Sequence, residues 1–288
     1  MKNQAKILNG KTLAAKILLD VHKEIVQKKI QPSLAVFLIG DNPASETYVE
    51  LKKKASLKCG LNFHLYRFEK DTSKKEIFEC LDFINNDKDT NAILIQLPLP
   101  SHLNETEIIK RINPKKDVDG FHPENLKLLA QKKSYIIPGL GQGIITLLKE
   151  TKEDFTNKKI LIISNSKIFS TPLSSLISQK ICNHKKCFCT WTRPLDKNLK
   201  QKTLSSDVII IAAGKPKFLK AGLIKKDSII IDVGYNRVKK EAVGDVDFKS
   251  CSKKAAWISP VPGGVGPMTV AMLLKNTLAL HQKQSHET

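Results

Sequence analysis

At 288 residues, with 41% apolar and 26% charged side chains, the chain has the composition of a soluble globular protein and room for one large or two medium domains. Its formal net charge is +20, yet of its 48 basic residues only Arg67, Arg111, Arg193 and Arg237 are arginine. Readers of nucleic acid lean on arginine's bidentate fork, so the charge excludes nucleic acid as the expected partner and is read as a field that draws anionic ligands.

Apolar periodicity predicts a helix over 10–29, a buried strand at 34–40, a helix at 45–59, a strand at 62–68 and a helix at 73–86. A buried strand at 92–97 and a helix at 104–112 follow. A second series has a helix at 141–150, a strand at 159–163, a helix at 171–180, strands at 186–191, 207–212 and 228–233, and a last helix over 267–283. Continuous apolar strands separated by helices predict parallel sheets covered on both faces, hence two α/β domains with a cleft between them. Neither an apolar leader nor a run of about 18 apolar residues is read, so a cytoplasmic chain without membrane contact is expected.

Ligands in open α/β sheets gather at the carboxyl ends of strands, which directs attention to the segments just after them. Tyr48 and Lys52 stand four apart on one face of a predicted helix, a ring beside an amine that suits a flat ligand and proton transfer, or a solvated lysine run. Gln96 ends a buried apolar strand, and Pro98 and Pro100 stop that strand. Asp117, Asp119, Gly120, His122 and Pro123 form a rigid acidic loop, open to binding, metal or structural use.

In the second half, Gly214 lies in AAGKP after one strand and Tyr235 in DVGYNR after the next. The string SPVPGGVGPMT holds Pro262, Gly263, Gly264, Gly266, Pro267 and Thr269. Its paired glycines let backbone approach a flat ligand, and Pro267 suits the start of a helix whose first amides are free. Cys182, His184, Cys187 and Cys189 cluster, but without a CxxC pair they are read as free thiols beside a surface histidine rather than a zinc site.

The order YxxxK, QLPLP, KDVDGFHPxN and PVPGGVGPMT resembles the bifunctional methylenetetrahydrofolate dehydrogenase/methenyltetrahydrofolate cyclohydrolase family (FolD), over about residues 7–283. The resemblance implies an α/β catalytic domain of residues 1–138 completed by the helix 268–288, and a Rossmann-like, doubly wound NADP-binding domain of 139–267. It implies that Lys52 is the general acid/base, that Gln96 tunes it, that Asp119 anchors the pterin ring, and that Tyr48 stacks on the folate. Pro262, Gly263 and Gly264 would meet substrate. Ser164, Asn165, Ser166, Arg193, Gly214, Tyr235, Gly266 and Thr269 would meet the nucleotide. A folate substrate, a homodimer and no metal complete the expectation.

The chain departs from the family at the cofactor turn. Where relatives carry G-R/A-S-x-x-V-G-x-P, it has Ser164-Asn165-Ser166-Lys167-Ile168-Phe169-Ser170-Thr171-Pro172, with both glycines replaced by serine. The family's PCTPxG becomes Pro138-Gly139-Leu140-Gly141-Gln142-Gly143, and a polar pair near 190–196 becomes TWTRPLD, where Arg193 suits a 2′-phosphate. A left-handed glycine replaced by serine would cost about 1 kcal/mol or more, and a hydroxyl would crowd the phosphates. Two outcomes stay open: an NADP enzyme, with NAD not excluded, or a cyclohydrolase-only or folate-binding chain whose NADP affinity would return with glycine at Ser164 and Ser170.

Overall fold

The computed structural model describes residues 4–182, 186–239 and 241–286, the side chain of Ile168 excepted. His184 of the cysteine cluster lies outside them. The elements run β1 (Lys6–Ile7), α1 (Gly10–Lys28), β2 (Ser33–Ile39), α2 (Pro43–Cys59), β3 (Asn62–Phe68), α3 (Lys74–Asn86) and β4 (Ala92–Ile95). Then come α4 (Glu105–Arg111), α5 (Pro123–Ala130), α6 (Gly139–Glu150), β5 (Lys159–Ser164), α7 (Lys167–Ile177), β6 (Phe188–Thr192), α8 (Leu199–Leu204) and β7 (Val208–Ala212). The remainder is β8 (Ile229–Asp232), β9 (Asn236–Val238), β10 (Glu241–Val243), α9 (Phe248–Cys251), β11 (Trp257–Ile258) and α10 (Val265–Ser285).

These form two compact units, one of Ala14–Gly139 with Val270–Thr288, the other of Met1–Leu13 with Leu140–Thr269. The first is built on a three-stranded parallel sheet in the order β3-β2-β4. Alternation along β2 explains its two covered faces: Leu34, Val36 and Leu38 pack with Leu273, Leu274 and Leu278 of α10, while Ala35, Phe37 and Ile39 pack with Ile77, Leu81 and Ile84 of α3.

The second unit has a six-stranded sheet in the order β1-β11-β8-β7-β5-β6, parallel throughout. The strand order reverses at β5, whose neighbours are β6 and β7, and this is the switch point where open sheets hold ligands. The first residues, which the resemblance assigns to the leading domain, go with this sheet because β1 pairs with β11.

Three local expectations change. The helix expected at 171–180 starts at Lys167, because the Ser166 hydroxyl accepts from the Phe169 amide and caps it. The last helix starts at Val265, so Pro267 sits within its first turn, where a missing N–H costs nothing. Cys182 and Cys187, expected as free thiols, form a disulfide with Cα atoms 5.6 Å apart. The strand begins one residue later than Cys187, which frees that residue to face Cys182; Cys189, on the strand, keeps its thiol.

Candidate active site

In the first unit, α2 carries the reactive amine. Asn42 caps it by accepting from the Ala44 and Ser45 amides, Pro43 opens it, and left-handed Gly60 at φ 87° closes it. So anchored at both ends, the helix presents Tyr48 and Lys52 one turn apart, both partly buried.

Lys52 Nζ donates to Gln96 Oε1 at 2.8 Å. Gln96 is buried, and its Nε2 donates to the Leu97 carbonyl at 2.7 Å, which turns the amide oxygen toward the lysine. Its backbone amide donates to Phe37 O at 2.9 Å, tying it to β2.

Asp119 comes to the same place on the loop after α4. Asp117 shapes that loop from inside: its carboxylate accepts from the amides of Gly120 and His122 and from Asn125 Nδ2, at 2.7–3.1 Å. His122 caps α5 through Nδ1, at 3.2 Å from the Glu124 amide, so its observed role is structural. Lys116, also buried, donates to the carbonyls of Ile84 and Asp87 at the end of α3 and pins the loop's base.

The electrostatics are mutual. Burial pushes the Lys52 ammonium below the usual lysine range, with the Asp119 charge opposing. Burial pushes Asp119 up to about 6, against the pull of Lys52 and with help from the like charge of Asp117. Asp119 also lines a small, largely apolar crevice with Ile93, Ile95, Leu97, Ile112, Asp117 and Phe121. An amine of lowered basicity beside a carboxyl in a largely apolar pocket is equipped to move protons near neutral pH.

In the second unit, Ser164, Asn165 and Ser166 stand at the switch point. Ser164 ends β5 in register with Ala212 of β7. Its Oγ accepts from the Ser166 amide at 2.9 Å, and Ser170 Oγ donates to Ser166 O at 2.8 Å. Neither serine has positive φ, so the anticipated left-handed strain does not arise. Asn165 Nδ2 donates to Ala213 O at 3.2 Å, joining this turn to the AAGKP loop, and Trp191 Nε1 donates to Ser164 O at 3.1 Å.

The remaining residues have separate settings. Gly214 is left-handed at φ 66°, and an added Cβ there or at Gly266 would meet nothing within 4 Å. Thr269 Oγ1 donates to Gly266 O at 2.7 Å. Arg193 and Tyr235 are exposed. Pro262 is exposed; Gly263 has φ 106°, and Gly264 is buried, where a Cβ would meet Pro260 O at 2.5 Å, so Gly264 serves the loop's own packing. Gly214, with nothing standing where a Cβ would project, and the capped start of α7 are the kind of backbone that suits a dinucleotide.

Sequence reasoning passed over Asp232 and Asp245, both buried and bonded to several backbone amides. The only trace that each leaves in the sequence is an acid near a glycine, in DVG and VGD.

Comparison with known proteins bears on both units. The tetrahydrofolate dehydrogenase/cyclohydrolase catalytic domain matches residues 8–119, and the NAD(P)-binding domain of the same name matches 138–285. The chain is 42% identical over 283 residues to the "Bifunctional protein FolD" of a Sulfurihydrogenibium species, covering 96% of this chain and 98% of that one. Its fold is similar to that of the bifunctional FolD dehydrogenase/cyclohydrolase of Campylobacter jejuni, at TM-score 0.90 and 37% identity, covering 97% and 99% of the two chains. It is also similar to the Trypanosoma brucei dehydrogenase-cyclohydrolase solved with NADP and an inhibitor, at TM-score 0.92 and 28% identity, covering 98% and 99%.

Proposed function

This chain belongs to the tetrahydrofolate dehydrogenase/cyclohydrolase family, and from that premise we propose how its residues divide the work. It oxidises 5,10-methylenetetrahydrofolate with NADP⁺ to 5,10-methenyltetrahydrofolate, then hydrolyses that cation to 10-formyltetrahydrofolate. NADP, when bound, supplies the hydride acceptor; Ser164, Asn165, Ser166, Gly214, Tyr235, Gly266 and Thr269 would hold it, with Arg193 at the 2′-phosphate. The Ala14–Gly139 unit with its final helix binds folate, and the Leu140–Thr269 unit binds the nucleotide.

The observation that carries the reading is the Lys52–Gln96 hydrogen bond at 2.8 Å beside the raised Asp119 carboxyl. Lys52, its basicity lowered by burial, takes a proton from the water that attacks the methenyl carbon, and Gln96 holds the amine in place. Asp119 accepts from the pterin N–H groups, Tyr48 lies on the folate ring system, and Pro262, Gly263 and Gly264 meet substrate. The substrate cation is already electrophilic, so the reaction draws on proton transfer at Lys52.

The alternative of a cyclohydrolase alone loses its physical basis where the serines bond within their own turn. Among the described residues no helix is long and apolar enough to cross a membrane. We read the enzyme as a cytoplasmic homodimer without nucleic-acid partners; equilibrium sedimentation tests the dimer. The decisive assay is reduction of NADP⁺ with 5,10-methylenetetrahydrofolate, run beside NAD⁺. Turnover with NADP⁺ supports the bifunctional reading, and silence with both nucleotides defeats its dehydrogenase half.

A further inference from the structure

The loops after β7 and β8 are held by a carboxylate that takes no part in the reaction proposed above. Asp245 is fully buried. Its Oδ2 accepts from the amides of Ala213 at 2.6 Å and Gly214 at 3.0 Å, and its Oδ1 from the amide of Lys215 at 2.8 Å. Asn236 Nδ2 adds a fourth bond to Oδ1 at 2.9 Å. Three successive amides turned on one point make the concavity in which proteins bind an external anion. Here the chain fills it with its own carboxylate.

A second buried acid fixes the first. Asp232, at the end of β8, accepts from the amides of Gly234 at 2.9 Å, Asp245 at 3.1 Å and Val246 at 2.9 Å. The glycines beside the pair leave it room: a Cβ on Gly234 would collide with the Asp245 carboxylate, and one on Gly244 with Asp232. Two loops that hydrophobic packing alone would leave adjustable are thus bound to one point.

We propose that Asp245 is a positioning residue for NADP: it presets the left-handed Gly214 turn, whose open side receives the nucleotide, before the nucleotide arrives. The inference rests on the reading that this chain binds NADP. A loop already in its bound shape need not be ordered at the expense of affinity. Asn165 extends the bracket, since its bond to Ala213 O couples the same loop to the turn at Ser164–Ser166. Loosening Asp245 therefore weakens nucleotide binding while the proton chemistry at Lys52 keeps its own groups.

The test measures NADP⁺ dissociation constants by isothermal titration for the unsubstituted chain, Asp245→Asn and Asn236→Ala, with KM for NADP⁺ and kcat from the dehydrogenase assay. Asp245→Asn turns an amide N–H₂ toward backbone donors. It is expected to raise Kd and KM by about tenfold or more while kcat at saturation stays within about threefold. Asn236→Ala, a milder change at a partly buried site, is expected to raise both by about threefold. If Asp245→Asn does not fold, Asn236→Ala decides. Unchanged Kd in the folded variants overturns the inference alone, as does a fall in kcat matched by the folded fraction with Kd unmoved. Absence of NADP⁺ binding by the unsubstituted chain overturns both the inference and the reading beneath it.

Discussion

Lys52 Nζ donates to Gln96 Oε1 at 2.8 Å, and the other end of the same amide is held by the Leu97 carbonyl at 2.7 Å. The lysine's partner is therefore itself oriented by a second bond. Lys52→Ala is expected to lower hydrolysis of methenyltetrahydrofolate by about 10²–10⁴-fold, the usual worth of a positioned acid/base. Gln96→Ala should cost less and shift the pH at which the lysine works. Hydrolysis that persists in Lys52→Ala, followed by loss of the methenyl absorbance, would remove the lysine from the mechanism.

Asp119 gives a pH dependence with a definite sign. Burial raises its carboxyl to about 6, so it is ionised at pH 7 and mostly protonated at pH 5. If the ionised form anchors the folate, KM for folate should rise about tenfold between pH 7 and pH 5. Asp119→Asn should show a high KM that is flat over that range. The same shift bears on stability: the folded state holds this proton more tightly, so the carboxyl's contribution is present in acid and lost as pH rises through about 6. A KM profile identical in both proteins would assign the acid limb elsewhere.

Restoring glycine to the cofactor turn should not improve it. Ser164 Oγ accepts the Ser166 amide, and Ser170 Oγ donates to the Ser166 carbonyl inside α7. Ser170→Gly places glycine in a helix interior and should lower stability by about 1 kcal/mol. For Ser164→Gly and the double variant, KM for NADP⁺ is expected to stay level or rise. A clear fall in KM, read by titration of initial rates, would show that the hydroxyls obstruct.

Arg193 is exposed on the segment after β6 and free to meet a phosphate. Arg193→Ala should weaken NADP⁺ by about tenfold and leave NAD⁺ nearly unchanged, since only the former carries the extra phosphate. Equal effects on the two nucleotides would place the 2′-phosphate against other residues.

What the sequence discloses follows from how each feature is encoded. β2, β5, β7 and β8 are continuous apolar runs, legible because both faces of their sheets are buried. Gln96 stands out as a polar group at the end of such a run, Lys52 as an amine one helical turn from a tyrosine, and Asp119 as an acid beside a glycine. β1 and β11, two residues each, exist through pairing alone and leave no periodicity to read. The start of α7 was hidden because serines and asparagine read as loop until the Ser166 cap is seen. Asp245 escaped because its partners are backbone amides, which every sequence carries alike.

The pairing of β1 with β11 has a consequence for how the enzyme is made. Lys6 and Ile7 are synthesised long before their partners Trp257 and Ile258. β1 therefore waits unpaired while the elements between the two strands are made, and the three-stranded unit likewise waits for α10, which follows β11 in the chain. Each unit is closed by contacts between segments far apart in the chain, and such distant pairing is slow to form.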